Sequence, residues 1–214
     1  MSEEPAGSET AVEFWDELYR TGEFPDAATA SVLLDEWIEA LPVGRALDVG
    51  AGVGLNASVL AETGFTVDAI DVSAEALSIG RSRVDSEAVN WIEADVTAPD
   101  QPPADAYDVV LVSQFPDLGV LRTLKDHLAD GGYLLYEHHL QTTDEVTRGP
   151  SDAHIPNADA YRVRSNELLH AGLDLTVLHY RERTRVLGDG ERAALAELVA
   201  RNTRGGKQSY PVVE

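Results

Sequence analysis

The chain contains no cysteine, a single methionine, and lysine only at Lys125 and Lys207. Without thiols there is no disulfide framework, no thiolate metal site and no cysteine nucleophile. No His/Glu spacing matches a zinc site either, so no metal is expected. No apolar run is long enough to cross a bilayer. The stretch from Met1 to Glu13 is acidic and polar, which predicts a frayed end rather than a secretory leader, with the cytoplasm as compartment. Neither internal repeats nor low-complexity tracts occur.

Positive charge is scarce as well. Lys+Arg number 16 against 38 Asp+Glu in 214 residues, a formal net charge of -22. Such self-repulsion strains a protein at low salt, whereas at molar salt the Debye length falls to about 3 Å. Abundant acids with few lysines therefore point to a salt-loving (halophilic) source. No basic stripe precedes Arg181, which argues against a nucleic-acid partner. Arg181, Arg183 and Arg185 alternate, and this spacing predicts one face of a strand paired with acidic neighbours.

The richest segment runs Ala46-Leu47-Asp48-Val49-Gly50-Ala51-Gly52-Val53-Gly54-Leu55-Asn56, followed by Val67-Asp68-Ala69-Ile70-Asp71. An apolar run breaks into alternate glycines, a helical pattern follows, and a second apolar run ends on an acid. Glycines let backbone turn sharply and lie against a ligand, and an acid at the end of the next strand can take both hydroxyls of a ribose. A dinucleotide fingerprint would need its third glycine at Leu55, and no lysine is placed for a phosphate loop. The spacing instead suits S-adenosylmethionine, which has ribose and adenine but no phosphate. Asp48 is placed to reach its methionine ammonium, or else to brace the loop. Gly50, Gly52 and Gly54 let the backbone pass the methionine and ribose. Asp71 is set for the ribose hydroxyls, since Ser73 already fits as the next helix's N-cap, and Val72 can pack on the adenine. Asn56 can hold the loop or touch the cofactor carboxylate.

Asp48-Val49-Gly50-Ala51-Gly52-Val53-Gly54 resembles the first motif of class I S-adenosylmethionine-dependent methyltransferases. Gly52 to Ala61 together with Asp71-Val72-Ser73 resembles their tellurite-resistance and thiopurine methyltransferase-like branch. The likeness spans roughly the whole chain in element order, with its specific motifs between Asp48 and Asp95. Ala51 stands where many relatives have cysteine. The resemblance implies that Asp95 accepts from the adenine amino group while the Val96 amide meets a ring nitrogen. It also implies that aromatic residues before the first strand cover the cofactor. Trp15 and Tyr19 share one helix face and fit that role, or else they are core of a cap. Ser113 ends the central strand beside the expected methyl position. Phe115 walls the substrate pocket or belongs to the core. His138 and His139 follow the fifth strand as candidate proton acceptors, or are held by backbone.

Periodicity predicts helices over Val12–Tyr19, Ala28–Leu41, 55–62, Ala74–Arg83, Leu118–Leu128 and Asn166–Ala171. Strands are expected over Arg45–Val49, Thr66–Ile70, Val89–Glu93, Asp108–Ser113, Tyr133–Glu137 and Leu173–Tyr180. Asp130-Gly131-Gly132 reads as the end of the fifth helix. Ala193–Ala200 fits helix or strand by pattern, and the resemblance places a last, antiparallel strand there. The expected fold is α/β: a doubly wound, mostly parallel seven-stranded sheet with helices on both faces, in one domain 1–214 with 1–41 as a helical cap. The polar stretch from Gln141 to Asp159 reads as a lid. The implied function is in-line methyl transfer to a small molecule, leaving S-adenosylhomocysteine. A nicotinamide-dependent dehydrogenase, a nucleic-acid methyltransferase and a non-catalytic cofactor-binding regulator or subunit are the alternatives.

Overall fold

A computed structural model of the chain describes residues 9–22, 29–103, 106–115, 117–147, 149, 158–187, 190–203 and 210–211, with side chains from residue 12 onward. Its elements run α1 (Glu9–Thr21), α2 (Val32–Trp37, extended by a 3₁₀ turn Ile38–Ala40), β1 (Arg45–Val49), α3 (Leu55–Glu62), β2 (Thr66–Asp71), α4 (Ala74–Arg83) and β3 (Val89–Glu93). Then follow β4 (Tyr107–Ser113), a 3₁₀ turn and α5 (Leu121–Asp126), β5 (Leu128–His139), α6 (Glu167–Ala171), β6 (Thr176–Val186) and β7 (Arg192–Arg201).

The strands form a 7-stranded sheet in the order β3-β2-β1-β4-β5-β7-β6. β1 pairs in parallel with both β2 and β4, and β7 runs antiparallel between β5 and β6. The ambiguous Ala193–Ala200 segment is therefore strand, inserted beside β5 as the resemblance implied.

The apolar run of β4 is explained by burial on both faces. Val109 and Leu111 face a layer containing Leu33, Leu34, Trp37, Ala57, Leu60 and Leu135. Val110 and Val112 face the opposite layer, with Leu121, Leu124, Leu134, Tyr136 and Leu168. Each buried leucine of this kind contributes roughly 1.5–3 kcal/mol of apolar burial.

Several boundaries differ from the periodicity. Helix α1 starts at Glu9, so the expected frayed end is helical from there, and residues 1–8 lie outside the described residues. Helix α2 begins only at Val32, because Ser31 caps it by accepting from the Leu34 amide. Gly131 and Gly132 do not end a helix; they belong to β5. The Gly131 amide donates to the Asn202 carbonyl and the Asn202 amide to the Gly132 carbonyl, so these glycines extend the sheet. A Cβ at Gly132 would lie 2.8 Å from the Tyr107 carbonyl oxygen, a backbone approach that only glycine permits. Residues 148 and 150–157 of the expected lid fall outside the described residues.

The Trp91 ring from β3 slots between two glycines. A Cβ at Gly54 would stand 2.2 Å from it and a Cβ at Gly80, in α4, 2.6 Å. Ring and glycines together fix how α4 lies against the loop that starts α3. Helix propensity favours alanine over glycine by about 1 kcal/mol, but the loop behind Trp91 leaves the ring no retreat. Gly80→Ala is therefore expected to lose about 1–3 kcal/mol of stability through overpacking. Urea unfolding checks this, and Trp91→Leu in the same chain should recover part of the loss.

Candidate functional site

The parallel strands end together, and their C-terminal turns gather the predicted residues. Asp48, next to last in β1, is fully buried. Neither carboxylate oxygen has a hydrogen-bond partner. Burial, then the nearby Asp71 charge, push its pKa up to about 7, against a weaker pull from the Ala57 amide and the Asn56 side chain. An orphaned carboxyl at this depth is costly unless something polar meets it.

The loop after β1 turns on Gly50, Gly52 and Gly54, all with positive φ (65°, 52° and 77°). Its Ala51 amide donates to the Ile70 carbonyl, which ties it to the end of β2. Asp71 completes the tie. One of its oxygens accepts from the Gly52 amide at 2.8 Å and the other from the Ser73 amide at 2.9 Å. Burial raises the Asp71 pKa, partly offset by these amides and that of Val72, with Asp16 adding a further upward push. Ser73 caps α4 as expected, accepting from the Ala76 amide at 3.1 Å.

Aromatic rings close over the loop. The Tyr19 hydroxyl would lie 2.7 Å from a Cβ on Gly52, and the Phe115 ring 3.2 Å from one on Gly50. Burial and Asp71 together hold the Tyr19 phenol well above its usual range. Phe115 is placed by Gln114, a non-glycine residue at φ 59° directly after Ser113, whose amide donates to the Glu137 carbonyl at 2.9 Å. The Tyr136 hydroxyl donates to the Phe115 carbonyl. Trp15 packs edge-on against Phe14, with ring centroids 5.2 Å apart.

Other expected residues find protein partners. The Asn56 side chain accepts from the Ser31 amide at 2.7 Å, which joins α3 to the start of α2. Asp95 accepts from the amide and hydroxyl of Thr97 at 2.8 and 2.7 Å, while Val96 is buried beside it. His138 is buried, and its Nδ1 accepts from the His139 amide at 2.7 Å. Its proton thus sits on Nε2. Burial, then His139 and Arg162, push its pKa down to about 3. In this arrangement it stays neutral and offers no nitrogen to take a proton. His139 is buried as well, its ring 6.3 Å from that of His138.

Three features escaped the sequence reading. Trp91 wedges the loop from below. Asp16 reaches from α1 to α4; its spacing of three residues from Tyr19 was the available signal. Glu137, near the end of β5, accepts from the Leu33 amide at 3.2 Å, at the start of α2. Burial, then the facing Glu197, raise Glu137 to about 7. Glu197 is buried too, yet hydrogen bonds from His179, Arg181 and Arg183 outweigh that burial and hold it near 2. Arg181, Arg183 and Arg185 all reach Glu36, at 2.7, 3.2 and 3.1 Å, so the alternating arginines do pair with acids as expected.

Asp48 and Glu137 carry raised pKa values in the folded state, so folding favours their protonated forms. Their contribution to stability is present below the unfolded pKa, near 4, and is lost as pH rises toward about 7. The ligand-free protein should melt at a higher temperature at pH 5 than at pH 7.5. In Asp48→Asn this slope should flatten. Thermal melts of both proteins across that range in constant salt are the check.

Residues 27–180 match the family model described as a methyltransferase domain. Among solved structures, the chain is similar to TehB from Haemophilus influenzae, with TM-score 0.65 and 21% identity over 87% of this chain and 67% of that one. It is similar to a protein that figures in the conversion of a disulfide bond into a thioacetal group during echinomycin biosynthesis, with TM-score 0.66 and 18% identity over 92% and 94% of the two chains. The N-methyltransferase NodS from Bradyrhizobium japonicum, solved with S-adenosyl-L-homocysteine, gives TM-score 0.60 and 16% identity over 88% and 98%. These structures share the fold; no curated protein matches the chain in sequence. The chain belongs to the methyltransferase-domain family, whose members work with S-adenosylmethionine.

Proposed function

We propose that this enzyme methylates a small molecule at the edge formed by the ends of β1, β2 and β4. The observation that carries the reading is the buried Asp48 carboxyl, orphaned beside a glycine loop that Asp71 ties down. An ammonium meeting Asp48 would supply its missing partner. Asp71 keeps a second lone pair on each oxygen for the ribose hydroxyls. Val72, Asp95 and the Val96 amide are set for the adenine, and the backbone at Gly50, Ala51, Gly52 and Gly54 for the methionine portion. Trp15 and Tyr19 cover the site, where an aromatic face near a positive sulfur is worth roughly 0.5–2 kcal/mol.

When bound, S-adenosylmethionine supplies a methyl group on a positively charged sulfur, reactive enough for positioning and exclusion of water to provide much of the rate. The chain's part is then to hold an acceptor at Ser113, Gln114 and Phe115 and to keep water out. With His138 committed to the His139 amide, no histidine proton transfer is required.

Charge favours a small acceptor over nucleic acid. The one run of alternating arginines, on β6, is spent on Glu36 and Glu197, in a chain of net charge -22. That balance also supports a salt-rich source. The motif likeness to the tellurite-resistance and thiopurine branch directs the acceptor screen to thiols, selenite, tellurite and small amines.

Calorimetry in high salt should show S-adenosylhomocysteine binding and no binding of NAD or NADP. Asp71→Ala should weaken that binding by about 1–3 kcal/mol through lost charge-assisted hydrogen bonds. Binding of a nicotinamide cofactor alone, or unchanged affinity in Asp71→Ala, would overturn the assignment.

A further inference from the structure

Strand β1 delivers Asp48 against the start of α3. That helix opens on Gly54, an N-cap at φ 77° with no side chain to bond its first turn, and first-turn amides have no partner within a helix. Two donors from this turn, the Ala57 amide and the Asn56 side chain, pull the buried Asp48 carboxyl toward its ionised form, although neither completes a hydrogen bond to it. Asp71 from β2 pushes the other way. Asp71 is faced in turn by Asp16 and Tyr19 from α1.

Chemistry fixes which end of the Asn56 amide meets Asp48. The Ser31 backbone N–H can only donate, so the atom it reaches at 2.7 Å is the Asn56 carbonyl oxygen. The NH2 group is left for the other side, and only a donor steadies a carboxylate. Ser31 is itself fixed: it is buried, and its hydroxyl caps α2 by accepting from the Leu34 amide. The orientation of the amide beside Asp48 is thus set by the N-cap of α2, 25 residues earlier in the chain.

We propose that Asn56 is a positioning residue for the cofactor: clamped by the Ser31 amide, it presents its NH2 group to Asp48 and holds that carboxyl in the form and direction that the methionine ammonium needs. Asn56 itself does not touch the cofactor. The proposal rests on the cofactor reading above. As pH falls, Asp48 takes up a proton and loses its charge, so a ligand that carries an ammonium binds more weakly. This low-pH limb is centred near the Asp48 pKa, about 7, and Asn56 keeps it from lying higher. The high-pH limb belongs to the ligand's own amine.

The test is equilibrium binding of S-adenosylhomocysteine to the full chain from pH 5.5 to 9 in constant salt. Asn56→Asp still accepts from the Ser31 amide but has no donor for Asp48. Its low-pH limb should move up by about one pH unit, the equivalent of one lost hydrogen bond to a charged group. Binding at pH 6 is then about tenfold weaker, with the high-pH limb in place. Asn56→Ala loses both contacts and should shift the limb in the same direction. 5′-Methylthioadenosine, which has the adenosine but no ammonium, should bind both variants as it binds wild type at every pH. Other roles for Asn56 leave the profile where it is. If Asn56 only braced α2 on α3, Asn56→Asp would bind like wild type, and Asn56→Ala would weaken both ligands by one factor at every pH. If it bonded the cofactor carboxylate directly, both variants would weaken S-adenosylhomocysteine by one factor at every pH. A low-pH limb unmoved in both variants overturns the proposal. When that happens while Asp71→Ala still weakens binding, the proposal alone fails. Should wild type bind neither ligand, the cofactor reading fails and takes the proposal with it.

Discussion

A strand that pairs in parallel on both sides must end where its neighbours end. β1 obeys that constraint between β2 and β4, and everything functional in the molecule follows from it. The turns after these strands are forced onto one edge. Side chains near the ends are buried whether they are apolar or not, because helices cover both faces of the sheet. Asp48 is in this position: the register places a carboxyl in the interior, and neither of its oxygens has a hydrogen-bond partner. The proposed cofactor site is thus a by-product of a pairing pattern, sharpened by the glycines that let the following loop lie close to the sheet.

The acids of this protein do different jobs according to what surrounds them. Asp71 is held by backbone amides and works as a brace for the loop even in the absence of ligand. Asp95 organises its own turn through Thr97. At the far side of the sheet, Glu137 and Glu197 face each other across β5 and β7. They divide the consequences unequally. Glu197 takes the arginines and stays ionised, while Glu137 serves the α2 amides and is driven toward its protonated form. Arg181, Arg183 and Arg185 are consumed in this network. The rest of the surface keeps the strong negative charge that the composition announced.

The helices before β1 are more than a lid on the core. α2 is joined to the sheet through Glu137 of β5, and its capping residue Ser31 is joined to α3 through Asn56. α1 is joined through Asp16 to α4. The two helices are therefore tied to different elements. α1 bears on the glycine loop through Tyr19.

The sequence alone determined the elements of the first half of the chain, and it did so because local signals there agree. Ser73 caps α4, Gly54 starts α3, the apolar run of β4 marks a strand buried on both faces, and the glycine spacing with Asp48 and Asp71 names the cofactor class. Local signals misled where long-range pairing overrode them. Gly131 and Gly132 look like a helix end and are sheet, because the Asn202 backbone supplies their partners from seventy residues away in the chain. Asn56 looked available to a ligand, and Ser31 takes it. Which acids end up orphaned, paired or protonated was likewise decided only by tertiary structure. A carboxyl's charge depends on the dielectric and on the donors around it, and these are assembled from elements that do not neighbour one another in sequence.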